Sequence, residues 1–365
     1  MSDNSIGKIL KLTTWGESHG NEIGGVLDGV PSNLRIDKKF IQSYLDKRAP
    51  GSSKFVTQRK EKDKIEIVSG VFKGFSTGMP IGMIIKNGDH KSKDYETIRK
   101  KFRPAHADYT YYKKYGIRDY RGGGRSSARE TAMRVAAGSI ARIILGKKIE
   151  IIGAVIQLGK KKIKSHKWNK KFISKNDFFC PDPKVLPDWE KYLLNIRRSG
   201  SSCGALIEIR VKGMPVGLGA PVYGKLDAEL AAALMSINAV KGIEIGAGFQ
   251  VVSMSGEENS DEMQINKKGN VSFLSNNAGG ILGGISSGQE LICRVAVKPT
   301  SSVLNIQKTV TTSNKNTTIS TKGRHDPCVG IRCVPVAESM VALVLADHLL
   351  RDKVQMGNYS RLEES

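Results

Sequence analysis

The sequence predicts an α+β protein, and three observations lead there. Strand-like segments come in runs instead of alternating strictly with helices, which argues for layers over a doubly wound parallel sheet. Two helices are Ala-rich, with broad apolar faces built of small residues, as central helices require. The chain shows no short-period repeat, and its 365 residues are enough to bury a core without staples.

Lys8–Thr13 alternates apolar and polar residues and predicts a strand. Asp37–Arg48 predicts an amphipathic, more exposed helix. Lys64–Val71 alternates again, whereas Ile81–Ile85 is apolar throughout and predicts a strand buried on both faces. The first Ala-rich helix covers about Ala128–Leu145, with Ala132, Val135, Ala136, Ile140, Ile143 and Ile144 at apolar positions. Ile149–Ile156 is a second strand, apolar except for Glu150; Ala205–Val211 and Glu290–Val297 alternate. The second Ala-rich helix covers about Asp227–Val240, with Leu230, Ala233, Leu234 and Ile237 on one face. A last helix, about Pro335–Leu350, opens with proline in its first turn. The two Ala-rich helices begin about 100 residues apart, a weak sign of two similar halves. Lys160–Glu190, basic and then Pro-containing, and Val303–Lys322, rich in Thr, Ser and Asn, predict long loops that act as lids or disordered excursions.

Composition narrows the function. Charged residues make up 25% and apolar residues 39%, which excludes wholesale disorder. No run of about 18 apolar residues predicts a membrane span, and the first residues, MSDNSIGKILKLTT, lack a secretory core and cleavage site. Five scattered cysteines fit reduced thiols, and the expected location is the cytoplasm. The formal charge of +23 suits either nucleic acid or small polyanions such as phosphate esters. Aromatics are only 6% and no nucleic-acid module is present, so small polyanions are the expected partners. The eight lysines of Lys160–Lys175, with no acid among them, read as a solvated face.

Five segments carry chemistry. In RDYRGGGRSSARET (118–131), Ser127 and Glu130 predict a capping box on the first Ala-rich helix. Gly122–Gly124, the helix N-terminus and Arg121, Arg125 and Arg129 converge there on an anion site, without the G-K-[ST] of a Walker loop. In TTWGESHGNEIGGVLDGVP (13–31), Ser18 and His19 lie between Gly16 and Gly20 after a strand, where glycines let polar groups face a ligand. KFRPAHADYTYYKKYG (101–116) places Arg103 and Asp108 near His106, a histidine that a neighbouring charge can tune for proton transfer. TKGRHDPCVGIRCVPVAES (321–339) offers Arg324, His325 and Asp326; reading His325, Cys328 and Cys333 as metal ligands lacks a fourth ligand, so no metal is expected. VAVKPTSS (295–302) ends a strand in Lys298 and three hydroxyls, suited to a phosphate or polar cofactor edge. NNAGGILGGISSG (276–288) is glycine-rich but does not match a Rossmann fingerprint.

Taken together, GESHGNEIGGVLDGVP, GGRSSARETAMRVAAGSI and GRHDPCVGIRCVPVAESM resemble the signatures of the chorismate synthase family, and RPAHADYT, NAVKGIEIG and KPTSS fit it too. The resemblance runs from Ile6 to about Arg351. It implies one domain over 1–365, with central helices sandwiched between two antiparallel sheets, assembled as a homotetramer. It implies a shikimate-pathway lyase that turns 5-enolpyruvylshikimate-3-phosphate into chorismate and phosphate by 1,4-anti elimination. The reaction has no net redox change but requires reduced FMN. By similarity His19 sits at the substrate phosphate, His106 near the flavin N1 region, and Asp326, with Ser18, assists deprotonation through flavin N5. FMN contacts carried over are Arg125, Ser126, Ser127, Asn238, Ala239, Gly283, Lys298, Pro299, Thr300, Ser301, Ser302 and Arg324. Substrate contacts are Arg48, Lys54, Arg103, Ser127, Arg129, Arg324 and Asp326. Lys54 stands where the family pattern has arginine, which predicts weaker substrate binding through loss of the bidentate fork. Some members of the family reduce flavin with NADPH themselves. No added reductase segment is visible here, so an external reductant is expected. A flavoenzyme of net oxidation is the alternative.

Overall fold

The computed structural model describes residues 3–49, 63–88, 98–164, 167–321 and 326–356. The strands of the first half are β1 (Ser5–Ile6), β2 (Lys11–Gly16), β3 (Glu22–Asp28), β4 (Glu66–Ile67), β5 (Val71–Phe72), β6 (Phe75–Ser76) and β7 (Ile81–Lys86). Five of them form an antiparallel sheet in the order β1-β2-β3-β7-β4. The second half holds β8 (Glu150–Leu158), β9 (Lys161–Lys162), β10 (Ala205–Lys212), β11 (Val216–Gly219), β12 (Val240–Ile245), β13 (Met263–Ile265) and β14 (Val271–Phe273). It continues with β15 (Ile281–Leu282), β16 (Ile285–Ser287), β17 (Leu291–Val297), β18 (Gln307–Val310) and β19 (Asn316–Ile319). Its main sheet is again five-stranded and antiparallel, in the order β12-β17-β10-β8-β9. The helices are α1 (Lys38–Arg48), α2 (Asp108–Tyr115), α3 (Thr131–Leu145), α4 (Lys170–Ile173), α5 (Leu186–Arg198), α6 (Leu226–Met235), α7 (Gly256–Asn259) and α8 (Gly330–Gln355).

The expected sandwich is present. α3 lies on the first sheet, α8 on the second, and the two helices pack on each other. Glycine sets each close approach. A Cβ on Gly138 of α3 would stand 2.4 Å from the Ser339 Cβ of α8, and one on Gly153 of β8 would stand 2.9 Å from Val334. Glu338 of α8 ties the layers together, accepting from Gly153 N (2.6 Å) and Arg142 Nη2 of α3 (2.8 Å). One continuous cluster of buried apolar side chains spans both halves.

Several element boundaries differ from the sequence reading. The second Ala-rich helix ends at Met235, not Val240, because Ala239 takes a left-handed conformation (φ +70°) and turns the chain into β12. α8 begins five residues before Pro335. The helix carries this proline internally, and the Ser339 hydroxyl donates to the Pro335 carbonyl (2.7 Å). α8 is long and apolar enough to cross a membrane (mean hydropathy 1.6), but 94% of that stretch is buried within the fold. Lys64–Val71 is broken into β4 and the start of the β5–β6 hairpin.

Neither predicted long loop is irregular throughout. Lys160–Glu190 contains β9, α4 and the start of α5. It is pinned by Asn176, which accepts from Phe178 N (3.1 Å) and Cys180 N (3.0 Å) and donates to Phe172 O (2.8 Å). The Thr-rich stretch folds into the β18–β19 hairpin, as β-branched residues allow, with Gln307 opposite Ile319.

Candidate active site

The loop after β2, residues 101–107, the glycine-rich loop 122–129, the α6–β12 turn, the end of β17 and the start of α8 converge on one cavity of about 440 Å³. Of the residues expected at the site, this cavity is lined by Ser18, His19, Arg103, His106, Arg129 and Asp326. It is also lined by Ser126 and Ser127, Asn238 and Ala239, and Lys298 through Ser302.

His19 is buried, with Nδ1 3.0 Å from the Ser18 hydroxyl. Glycine at 122 is required beside it: a Cβ there would lie 2.4 Å from His19 Nδ1, and φ is +141°. The Gly122 carbonyl accepts from Arg103 Nη2 (2.7 Å), so the wall against His19 is fixed from behind.

Arg103 and His106 share one carboxylate. Asp108 Oδ2 accepts from Arg103 N (3.0 Å) and Nε (2.8 Å), and Arg118 Nη1 forms an ion pair with it at 3.1 Å. Its Oδ1 accepts from Arg103 Nη2 (2.8 Å) and lies 2.9 Å from His106 Nδ1. Burial pushes the Asp108 carboxyl up, but the hydrogen bonds from Arg103 and the imidazole of His106 beside it outweigh this and hold the group far below the ordinary carboxylate range. Burial lowers the His106 pKa below 6.5; Asp108 opposes this, while Arg103 and Lys298 add to it, so the imidazole is neutral at pH 7. Lys298 donates to the Ala105 carbonyl, and burial with nearby Lys241 lowers its own pKa.

A second buried carboxylate holds Arg129 at the cavity wall. Arg129 Nη1 donates to Asp63 Oδ1, and its Nε donates to Asn87 Oδ1 (2.9 Å). The Ser127 hydroxyl caps the helical turn by accepting from Arg129 N (3.3 Å). The predicted capping box is not formed: Ser127 caps at Arg129 N, and Glu130 turns to pair with Arg134.

Across the cavity, Asn238 Nδ2 donates to Ser126 O (2.8 Å), while its Oδ1 is buried with no hydrogen-bond partner in the structure. β12 carries a bulge against β17: Val240 pairs with Val297 and Gly242 with Ala296. Lys241 is the extra residue, and it lines the cavity. Asp326 accepts from Arg332 Nη1 (2.8 Å), and Arg332 Nε donates to the Arg48 carbonyl (3.0 Å).

Other expected residues lie elsewhere. Arg48 is buried behind the wall, with Nε donating to Asp63 (3.2 Å) and Nη1 to Ala128 O (3.1 Å). Arg125 reaches the β2 backbone, donating to Gly16 O (3.2 Å) and Thr14 Oγ1 (2.7 Å), and lines an adjoining groove of about 950 Å³. Gly283 sits in the turn between β15 and β16, outside the lining of either cavity. Lys54 and Arg324 fall outside the described residues. The sequence reading missed Lys241 and Arg332, although NAVKG and GIRC contain them. The bulge and the link to Asp326 are tertiary features without a local signal. The five cysteines are free and buried, and the described residues contain no group of three or more His, Cys, Asp or Glu able to hold a metal ion.

Comparison with known proteins decides the family. The family model described as Chorismate synthase matches residues 10–350. The chain belongs to the chorismate synthase family. The chorismate synthase of Pelagibacter ubique (strain HTCC1062) is 62% identical over 360 residues, covering 97% of this chain and 99% of that protein. That of Gluconacetobacter diazotrophicus is 57% identical over 357 residues, covering 98% and 100%. A crystal structure of chorismate synthase superposes with a TM-score of 0.77 at 29% identity, covering 98% of each chain. Chorismate synthases are enzymes acting on a small-molecule substrate, and the cavity is where the three signature segments of this chain meet.

Proposed function

We propose that the chain eliminates phosphate from 5-enolpyruvylshikimate-3-phosphate in a 1,4-anti sense to give chorismate, as a lyase that requires reduced FMN. One observation carries this reading: two histidines, a carboxylate and the cations Arg103, Arg129, Lys241, Lys298 and Arg332 line a single 440 Å³ cavity. A trianionic phosphate ester requires such a charge, and the volume is ordinary for a ligand site.

The residues present also fit a flavin. The Asn238 Oδ1 acceptor is buried without a partner, as a ligand N–H requires. The hydroxyls of Thr300, Ser301 and Ser302, with Lys298, supply the polar edge for a phosphorylated side chain. Asn238, Ala239, Ser126, Ser127 and Lys298–Ser302 would hold it, with Arg125, Gly283 and Arg324 as the remaining carried-over positions. Reduced FMN supplies an electron-rich ring to the breaking C–O bond.

The chain's own groups do the rest. Arg103 and Arg129 bind and stabilise the departing phosphate. His19, fixed by Ser18 and Gly122, holds a proton at the phosphate oxygen. Neutral His106 presents a ring nitrogen to the cofactor, and Asp326, oriented by Arg332, takes part in removing the C6 proton. Arg48 and Lys54 complete the substrate side, Arg48 through Asp63 and Arg129. The substrate thus loses one C–H and one C–O bond, releasing a proton and phosphate with no net oxidation. The chain works as one cytoplasmic domain in a homotetramer, with flavin reduced by an external donor instead of NADPH bound to its own reductase segment. Exposed Phe249, Val252, Met263, Ile265 and Val271 support self-association.

The test is an anaerobic assay with substrate, FMN and dithionite that reads chorismate and phosphate together. Equal amounts of both, only with reduced flavin, are expected; flavin oxidised at each turnover would instead support a net oxidation. His19→Ala and His106→Ala should each lower turnover by about 10²–10⁴-fold. Unchanged turnover in both would sink the assigned roles.

A further inference from the structure

We infer that Asp108 is a positioning residue. It fixes His106 with the proton on Nδ1 and the lone pair of Nε2 as the working atom of the ring. The inference rests on the reading of His106 as a proton-handling group.

Asp108 is 2% exposed; its two oxygens accept three hydrogen bonds from Arg103 at 2.8–3.0 Å, and Arg118 Nη1 lies 3.1 Å away as an ion-pair partner. A carboxylate so engaged is ionised and can only accept. His106 Nδ1 lies 2.9 Å from Oδ1. A lone pair on Nδ1 would face that anion at contact distance, whereas an N–H would be attracted to it, so the proton belongs on Nδ1. The contact lies off the line of a good ring N–H hydrogen bond. Catalytic contacts of this kind commonly align only when the ligand seats. The other charges facing the ring are Arg103 and Lys298, both cationic, and both favour a neutral imidazole. With Nδ1 occupied, the neutral ring has one remaining nitrogen, Nε2, which is an acceptor. The same carboxylate holds Arg103, and Arg103 holds the Gly122 carbonyl at the wall of His19. One buried anion therefore sets both the tautomer of one histidine and the wall against the other.

Nitrogen-15 NMR of histidine-labelled, ligand-free protein reads the tautomer directly. The wild type should show His106 protonated at Nδ1. Asp108→Asn, whose amide can donate or accept, should give a mixed signal, and Asp108→Glu should restore the Nδ1 form at least in part. A wild-type His106 protonated at Nε2 overturns the inference, and this arm needs no variant to fold. Turnover of 5-enolpyruvylshikimate-3-phosphate with reduced FMN supplies the second arm. Asp108→Asn should lower kcat by at least about 10-fold with a smaller change in KM. The same substitution should cost less in a His106→Ala background than in the wild type, the remaining loss passing through Arg103 and the wall of His19. An equal further loss there would make Asp108 merely structural and overturn the positioning role. A changed tautomer with full turnover in His106→Ala would instead sink the reading of His106 and leave the tautomer assignment standing.

Discussion

Asp63 and Asp108 are both buried and both collect arginines, but they present different groups to the cavity. Asp63 lies between Arg48 and Arg129, and only Arg129 of the pair lines the cavity. The Arg48 carbonyl receives Arg332, which in turn holds Asp326, so this cluster buttresses the anion-binding wall. Asp108 holds Arg103 and Arg118 and adds a histidine. On the proposed reading, the same ion-pair chemistry serves binding in one place and proton placement in the other. The histidine makes the difference, because an arginine stays protonated at any working pH and an imidazole does not.

The largest effect expected from breaking this comparison is at Asp63. Asp63→Asn leaves two arginines buried against each other without their anion, and losing one partner of a buried pair costs about 3–5 kcal/mol. Urea unfolding should show a loss of that size, and KM for the phosphorylated substrate should rise more than kcat falls. Asp108→Asn should act mainly on kcat. If both variants move kcat and KM alike, the division of labour is wrong.

Much of this was legible in the residues. The glycine-flanked Ser18–His19, the Gly122–Gly124 run before a capped helix and the KPTSS strand end each announced a ligand-facing backbone, and all three line the cavity. Asp63 gave no signal. It is one of three acids in EKDKIEI, and its burial under Arg48 and Arg129 depends on contacts 15 and 66 residues away. Sequence pattern reports periodicity along a chain, not which distant cations fold over one carboxylate. The family resemblance carried Arg48 to the substrate; in the fold its guanidinium is buried on Asp63 behind the cavity wall. The Thr/Ser/Asn stretch was misread because polar composition resembles a loop, although Thr on alternate positions pairs well across a hairpin.

A smaller effect sharpens the Asp108 side alone. Gly122→Ala places a methyl 2.4 Å from His19 Nδ1 and forces a side chain onto φ +141°. Overpacking of this kind costs about 1–3 kcal/mol, and here displacement of the ring relieves it. Turnover should fall about 10-fold or more, with global stability less affected because the loop gives way first. Gly123→Ala, whose nearest neighbours lie at 3.2 Å with ordinary φ, should be milder. Equal losses in the two variants would remove the special role of position 122.

The smallest effect separates the two clusters by pH. Burial lowers the His106 pKa in the folded chain, so between that value and 6.5 the unfolded chain binds more protons. Stability therefore rises with pH through that window, levels off above 6.5 and falls on acidification. Asp63 and Asp108 are both held below the ordinary carboxylate value of 3.8, so their contributions are intact above it and lost only at lower pH. A scan of unfolding midpoints from pH 5.5 to 7.5 thus reads histidines. His348, buried 2.9 Å from Glu229, is shifted the same way by burial and adds its own share of the slope. His106→Gln should flatten the profile without abolishing it, and adding His348→Gln should flatten it further. Arg48→Met, which alters only the Asp63 cluster, should shift the whole curve down without changing its shape. An unchanged slope in His106→Gln would mean that the ring titrates alike in the folded and unfolded chain. The two carboxylate clusters would then differ in contacts but not in proton chemistry.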